Sequence, residues 1–292
     1  MSTRLEMLQL ARLAPRLLSD ATELVAAFTD SQFHPAGGFI DRAGEPDLYY
    51  TVFGMDCLVA LSRPIPHAPI ETYLTGFGDG TALDLIHSCA LLRCWANLGP
   101  PPQKVTDAVL AKVEAHVAGD GGYHVTMGMR KGSCYGNFLA LGAYEAAGRP
   151  LPRPEAVLQN IRDLASRDGA FNDVPDMPVG TMPATAAAVA VTRALGHPLP
   201  ASTGLWLLQQ HHPEGGFFAV PGAPMPDLLS TAVCLHAMSL LKVPMDTIKE
   251  PCLDFVDSLW VNKGAFYGSW GDGYLDCEYL FYALLALGHL SI

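Results

Sequence analysis

Two kinds of hydrophobic pattern alternate along the chain. In the first, apolar residues recur at helical spacing on one side only, as in residues 105–113. In the second, apolar residues occupy most of the helix circumference, as in residues 230–241 and 279–290. A one-sided helix lies on a protein surface, whereas a helix that is apolar all round is enclosed by other elements. The alternation therefore predicts an all-α protein with amphipathic outer helices and buried inner helices.

A short glycine signature divides the chain into units. It ends on an aromatic residue at five places, which are Phe39, Tyr123, Phe171, Phe217 and Phe266. The last four lie 46 to 49 residues apart, and the first gap of 84 residues contains a degenerate copy, Gly78-Asp79-Gly80. Self-similarity at such a period is typical of repeat architectures. The spacing predicts six units of about 45 residues that account for the whole chain.

A polar residue stands directly before each all-round apolar segment. The six are Asp47, Asp84, Ser133, Thr181, Asp227 and Asp276. Such side chains accept hydrogen bonds from the free N–H groups at a helix start, so helix capping alone would select them. In a ring, however, the six helix starts converge on one rim, where free N–H groups and the helix dipole suit an anionic ligand. Basic residues near the rim loops are few, so a neutral or weakly charged substrate fits the sequence better than a diphosphate.

Each unit consists of an outer helix, a glycine loop and a buried inner helix. An open superhelix needs polar caps on its end repeats. The last apolar segment instead ends in Leu290-Ser291-Ile292, which does not form a polar cap. The sequence therefore favours a closed α6/α6 toroid of about twelve helices, formed by a single domain over residues 1–292.

Net charge, hydropathy and cysteine spacing argue against several classes of protein. The formal net charge is −11, and no run of Lys or Arg occurs, which argues against a nucleic-acid partner. The most apolar stretch, residues 279–292, is too short to span a bilayer, so no transmembrane segment is predicted. The seven cysteines are scattered singly without a CxxC pair, as in a reduced cytoplasmic protein.

The repeats resemble those of a known family. The segment from Gly37-Gly38-Phe39 to Asp47, and the equivalent segment from Gly215-Gly216-Phe217 to Asp227, are similar to repeats of protein prenyltransferase β subunits. The same class of repeat occurs in squalene and other terpene cyclases. The resemblance covers all six units and implies inner helices around a deep apolar cavity that holds an isoprenoid. It also implies that protein prenylation would require a separate α-subunit-like protein partner.

The resemblance implies a zinc site, but this sequence matches only part of the pattern of zinc ligands. In those β subunits, an Asp and a Cys two residues apart, and a His three residues after an Asp, hold a catalytic zinc. Here Glu278 occupies the Cys position, and Cys277 lies one residue early, about 100° around the helix. The Asp-x-x-His pattern occurs as Asp84 and His87 in another unit, and Ser230 stands where the His is expected. The Asp-x-Asp-Asp run of class II terpene cyclases is absent. Zn or Mg²⁺ at the acidic rim stays open.

Several side chains near the inner-helix starts are candidates for acid–base chemistry. Asp276 and Glu278 follow Asp272 closely, and crowded carboxyls raise one another's pKa. Asp84 and His87 share a helix face as an acid–base pair, although a satisfied core histidine is the alternative. Cys134 stands at a helix start, where the dipole lowers a thiol pKa, although a small buried residue is the alternative. The full candidate set is Asp276, Glu278, Asp84, His87, Asp47, Asp227 and Cys134.

Aromatic residues on the inner helices are the candidates for substrate binding. They are Tyr49, Tyr50, Phe53, Tyr135, Phe138, Tyr279 and Tyr282. Aromatic faces stabilise cations, as the cavities of the resembled family do for allylic cations. Core packing is the alternative role for most of them.

Two hypotheses about function follow. In the first, the protein is an enzyme that transfers, cyclises, isomerises, hydrates or dehydrates an isoprenoid or a similarly apolar small molecule in a central cavity. The rim carboxylates and His87 would supply protons. In the second, it is a non-catalytic toroid that has lost the zinc site of the family and binds a lipid or docks a partner.

Overall fold

The computed structural model describes residues 2–292. In chain order the helices are α1 (Thr3–Ala11), α2 (Pro15–Leu18), α3 (Thr22–Ser31), α4 (Leu48–Ala60), α5 (His67–Thr75), α6 (Leu85–Leu98), α7 (Gln103–Ala115), α8 (Cys134–Ala146), α9 (Pro154–Asp163), α10 (Met182–Ala194), α11 (Ala201–Gln209), α12 (Leu228–Leu240), α13 (Lys249–Ser258) and α14 (Cys277–Leu290). A 3₁₀ turn, Ser19–Ala21, joins α2 to α3. Two short antiparallel hairpins pair β1 (Phe39–Ile40) with β2 (Pro46–Asp47) and β3 (Trp260–Val261) with β4 (Ala265–Phe266).

The even-numbered helices from α4 to α14 form a closed inner ring. Each packs against the next, and α14 packs against α4. The odd-numbered helices from α3 to α13 lie outside, and each packs on the inner helix that follows it in the chain. The inner helices are mainly apolar because they face other helices or the interior of the ring. The arrangement confirms the predicted α6/α6 toroid.

The glycine signatures form the contacts between neighbouring units. Gly215 has a φ of +96°, and a Cβ there would collide with the carbonyl oxygen of Pro251 in α13. Gly264, in the last unit, has a φ of +88°, and a Cβ there would collide with the carbonyl oxygen of Leu24 in α3. Glycine is required because only it tolerates both the left-handed backbone and the close approach. The last loop thus packs on the first outer helix, which closes the ring.

The aromatic residue of the signature is fixed by a repeated hydrogen bond. The backbone N–H of Phe217 donates to Thr231 Oγ1 at 3.0 Å, and that of Phe39 donates to Thr51 Oγ1 at 2.9 Å. Asn137 accepts the equivalent bond from Tyr123 at 2.8 Å. The bond ties each glycine loop to the first turns of its own inner helix.

All six polar residues at the inner-helix starts are helix caps. Asp47, Asp84, Ser133, Thr181, Asp227 and Asp276 each accept a hydrogen bond from the backbone N–H three residues on. Each such cap stabilises its helix by about 1 kcal/mol. The capping interpretation is confirmed for the whole set, and any chemical role comes in addition to it.

The N-terminal helix α1 covers one end of the ring. It packs against α14 and α4, and Gly288 in the last turn of α14 leaves room for the backbone of Leu10. The backbone N–H and hydroxyl of Thr3 donate to Glu145 near the end of α8. Helix α1 therefore lies at the C-terminal ends of the inner helices, opposite the rim that carries the caps. No helix among residues 2–292 combines the length and apolarity needed to cross a membrane.

Candidate active site

An apolar cavity of about 530 Å³ lies inside the ring, between α4, α6 and α8. This volume falls within the range of about 300–1,000 Å³ that is usual for sites that bury a small-molecule ligand. Four of the seven predicted aromatic residues line it, which are Tyr49, Phe53, Tyr135 and Phe138. The cavity reaches solvent near α1, where Pro100 and Gly148 are exposed. The predicted apolar cavity is present, but it opens at the end opposite the acidic rim.

The other three predicted aromatic residues lie outside the cavity lining. Tyr282 stands behind Phe53, with the ring centroids 5.7 Å apart. Tyr50 packs edge-on against Tyr49, also at 5.7 Å. Tyr279 lies beneath the guanidinium group of Arg42. Tyr50 and Tyr279 are rim residues, and Tyr282 supports the cavity wall.

A partly buried carboxyl–phenol pair lies at the aromatic end of the cavity. The hydroxyl of Tyr49 donates to Glu278 Oε1 at 2.6 Å. Burial raises the pKa of Glu278, and the neighbouring Asp276 raises it further, although the bond from Tyr49 opposes them. Burial also raises the pKa of Tyr49. Glu278 can therefore hold a proton at a higher pH than an ordinary glutamate, directly behind a hydroxyl that lines the cavity.

Asp276 is held by a cation. It is 2% exposed, and the Nε of Arg42 donates to its Oδ2 at 2.9 Å. The same guanidinium group lies 3.9 Å from Asp272 and 5.2 Å from the ring centre of Tyr274. Arg42 lies against both aspartates and so offsets part of the predicted crowding of carboxyls, although Asp276 still raises the pKa of Glu278.

His87 joins the starts of two inner helices. Its Nδ1 lies 2.8 Å from Asp84 Oδ2, and its Nε2 lies 3.2 Å from Asp47 Oδ2. Partial burial lowers the pKa of His87, but the two aspartates outweigh it and the pKa is raised overall. The predicted pairing of Asp84 with His87 is present and extends to Asp47. The group lies on the rim and outside the cavity lining, so its evident role is to tie α4 to α6.

Two candidate catalytic residues, Asp227 and Cys134, make structural contacts with neighbouring groups. Asp227 accepts hydrogen bonds from the backbone N–H and the hydroxyl of Ser230, both at 2.7 Å. The thiol of Cys134 is fully buried and lies 3.6 Å from the carbonyl oxygen of Asn172. Burial raises the pKa of Cys134 well above its usual value, so the expected lowering by the helix dipole is wrong. Cys134 is a small buried residue without nucleophilic character.

The sequence model of the prenyltransferase alpha-alpha toroid domain matches residues 5–107 and 197–291, which is more than half of the chain. The chain belongs to the prenyltransferase alpha-alpha toroid domain family. No match was found among curated proteins.

Several solved structures share the toroid. The type II terpene cyclase MstE from Scytonema, in its apo form, aligns with a TM-score of 0.61 at 13% identity over 94% of this chain and 97% of the cyclase. The same enzyme in complex with geranylgeranyl dihydroxybenzoate aligns with a TM-score of 0.58 at 12% identity, over 95% and 97% of the two chains. Candida albicans protein geranylgeranyltransferase-I complexed with GGPP aligns with a TM-score of 0.49 at 16% identity, over 97% and 82%. Likeness at these identities concerns the fold alone.

The zinc site of the prenyltransferase β subunits does not fit the residues of this toroid. Cys277 is fully buried, and burial raises the pKa of its thiol. Ser230 is hydrogen-bonded to Asp227, and Asp276 to Arg42. Among residues 2–292, no three His, Cys, Asp or Glu side chains are grouped closely enough to hold a metal ion. Magnesium at the acidic rim stays a prediction.

A polar cluster that was not among the predicted site residues lies at the open end of this toroid's cavity. It contains Arg4 from α1, Asp56 from α4, Arg93 and Asn97 from α6, and Glu145 from α8. A signal was present, because Asp56 and Arg93 interrupt inner helices that are otherwise apolar. An isolated charge in a buried segment needs a partner, and here the two residues are partners of each other.

Proposed function

We propose that the protein is an enzyme that acts on an isoprenoid or a similarly apolar small molecule in the cavity between α4, α6 and α8. The reaction would use acid–base or cation-stabilising chemistry. The observation that carries this proposal is the bond between Tyr49 and Glu278 at the aromatic end of the cavity. A carboxyl with a raised pKa beside an enclosed apolar space is the arrangement that general acid catalysis requires.

The proton would move along that bond. When Glu278 is protonated, its carboxyl becomes the donor to the phenol oxygen of Tyr49, and the Tyr49 hydroxyl is free to turn towards the substrate. Glu278 then gives its proton to that oxygen, while the Tyr49 proton passes to an alkene carbon or a hydroxyl oxygen of the substrate. The reverse transfer removes a proton from the resulting cation and restores both side chains. The aromatic faces of Phe53, Tyr135 and Phe138 surround the space in which positive charge would develop, and such faces stabilise cations. The chemistry needs no zinc thiolate.

The family supports the substrate class. The structurally similar toroid of the MstE cyclase was solved in complex with its substrate, geranylgeranyl dihydroxybenzoate. The cavity of the present protein lies inside the same type of ring and is lined mainly by apolar and aromatic side chains. We therefore expect a molecule with an isoprenoid chain to fill it.

Turnover of a panel of isoprenoid alcohols and acids, followed by gas chromatography and mass spectrometry, tests the proposal. Glu278→Gln should reduce turnover by about 10²- to 10⁴-fold, the usual contribution of a general acid. Its melting temperature should change little, because the amide oxygen can still accept the bond from Tyr49. Tyr49→Phe should also lose turnover, and Glu214→Gln on the exposed surface is the matched control. Full turnover by Glu278→Gln would refute the assigned role.

A second candidate function is a binding toroid without catalysis. It is favoured by the engagement of every rim aspartate in a helix cap, a histidine contact or an ion pair. Binding of an isoprenoid by the wild-type protein, without turnover of any compound in the panel, would support this function instead. Docking of an α-subunit-like partner belongs to the same hypothesis and stays a prediction.

A further inference from the structure

The open end of the cavity presents two guanidinium groups. Arg4 and Arg93 both line the cavity wall, beside Gly99 and Pro100 at the end of α6. Between them and the aromatic end the lining is mainly apolar, with Val52, Phe53 and Phe138 among its members. The cavity is therefore amphipathic along its length, because one end is cationic and the rest is apolar.

A hydrogen-bond network positions these two arginines. Arg4 donates to Asn97 Oδ1, and Asn97 Nδ2 donates to Asp56 Oδ1 at 3.1 Å. Arg93 donates to the other oxygen of Asp56, which is 0% exposed. The network links α1, α4 and α6, so that both guanidinium groups are held before any ligand arrives.

The cluster keeps an unused hydrogen-bond donor. The Nε–H of Arg93 is buried and has no hydrogen-bond acceptor in the protein. A buried donor without an acceptor costs about 1–3 kcal/mol, so the protein alone does not fully satisfy the Arg93 side chain. Of the two nearby carboxyls, Asp56 faces Arg93, whereas Glu145 accepts from the backbone N–H of Thr3 at 3.0 Å. Burial raises the pKa of Glu145, so its charge is held less firmly than that of an ordinary glutamate.

We propose that Arg4 and Arg93 form an anion site that holds the head group of an amphipathic ligand, namely an apolar chain that carries one carboxylate. The inference rests on the proposed function, because it names the substrate class of the same cavity. The two carboxyls of the same cluster, Asp56 and Glu145, offset the charge of the two arginines, so the site suits a singly charged head group better than a diphosphate. A guanidinium group also matches a carboxylate geometrically, through two parallel hydrogen bonds.

The anion site would fix the direction in which the ligand lies. With the carboxylate at Arg4 and Arg93, the chain extends along Val52 and Phe53 towards Tyr49. The part of the chain farthest from the head group would then meet the pair formed by Tyr49 and Glu278. Proton transfer would take place at the chain end and not at the head group.

Calorimetric titration with a matched pair of ligands tests the site. The ligands are geranylgeranoic acid and geranylgeraniol, which share a C20 chain and differ in the charge of the head group. For the wild-type protein we expect the acid to bind at least about tenfold more tightly, since hydrogen bonds to charged groups are strong. Arg4→Met should remove most of this preference and leave the affinity for the alcohol within about twofold. Arg12→Met, on the exposed side of the same segment, is the matched control and should keep the preference.

A second variant distinguishes loss of the anion site from a folding defect. Arg93→Met alone would leave Asp56 buried without its cation, so it is combined with Asp56→Asn, and this pair should also lose the preference for the acid. Equal binding of acid and alcohol by the wild-type protein would overturn the anion site and leave the proposed function intact. Binding of neither compound would overturn both. Tighter binding of geranylgeranyl diphosphate than of the acid would overturn the assignment of a singly charged head group.

Discussion

A buried histidine pair should make the folded protein sensitive to acid. His236 Nδ1 lies 3.2 Å from His289 Nε2, between α12 and α14, and the two residues are 5% and 2% exposed. Burial lowers the pKa of His236 to about 4, with a further contribution from Arg193. Burial and the neighbouring His236 lower the pKa of His289 to about 3. Both side chains are therefore neutral in the folded protein at any pH above these values.

The magnitude follows from the difference between the folded and unfolded states. In the unfolded chain each histidine has a pKa of about 6.5, so it binds a proton there before it does in the folded protein. The stability is complete above pH 6.5 and falls as the pH drops from 6.5 towards the folded values, by up to about 1.4 kcal/mol per pH unit for each group. At pH 5 the two histidines together cost about 4 kcal/mol, a large part of a typical free energy of unfolding of about 5–15 kcal/mol.

Urea unfolding at pH 7.5 and pH 5.0 measures this effect. The double variant His236→Leu/His289→Leu should lose about 4 kcal/mol of the difference in stability between the two pH values. His87→Gln is a control of opposite sign, because the pKa of His87 is raised in the fold. His87 contributes stability below its unfolded pKa that is lost as the pH rises through its folded pKa, so this variant should be weakened more at pH 5.0 than at pH 7.5. If the double variant kept the full pH dependence of the wild type, the assignment would be refuted.

Four further outcomes are expected. Gly264→Ala should lower the melting temperature strongly, because the new Cβ would collide with the backbone of Leu24. An unchanged melting curve would contradict the close contact between the last loop and the first outer helix. Thr231→Val should cost about 1–3 kcal/mol in urea unfolding, since the buried N–H of Phe217 loses its acceptor, whereas Thr72→Val on an exposed helix surface should cost much less. All seven cysteines are buried, so iodoacetamide should label the native protein slowly and the unfolded protein fully, and rapid labelling of the native protein would argue against the buried thiols. If Glu278 acts as the acid, kcat/KM should fall as the pH rises through its raised pKa, and a profile in which kcat/KM instead rises with pH would contradict that role.

The architecture could be predicted because the features that define it lie close together in the sequence. Each unit carries its own glycine signature, cap and apolar segment, and these features depend on residues within about 15 positions of one another. The bond between Phe217 and Thr231 is an example, with a separation of 14 residues. Repetition of such a unit is enough to indicate the ring without knowledge of any long-range contact.

The candidate site could be predicted only in part because its contacts depend on closure of the ring. Tyr49 and Glu278 were both among the candidates, but they are 229 residues apart and meet only where α14 reaches α4. Arg4 and Asn97 are 93 residues apart and meet because α1 folds across the end of the ring. No pattern in the sequence placed α1 there, so neither the cluster nor the position of the cavity opening was foreseen.

The contact between Gly264 and Leu24 also governs how the molecule should unfold. An open array of repeats can fray from its ends, because a terminal repeat has only one neighbour. Here every repeat has two neighbours, and the loss of any one would expose the flanks of both. We therefore expect a single cooperative transition with no stable fragment that lacks one repeat, unlike the stepwise melting of a linear array.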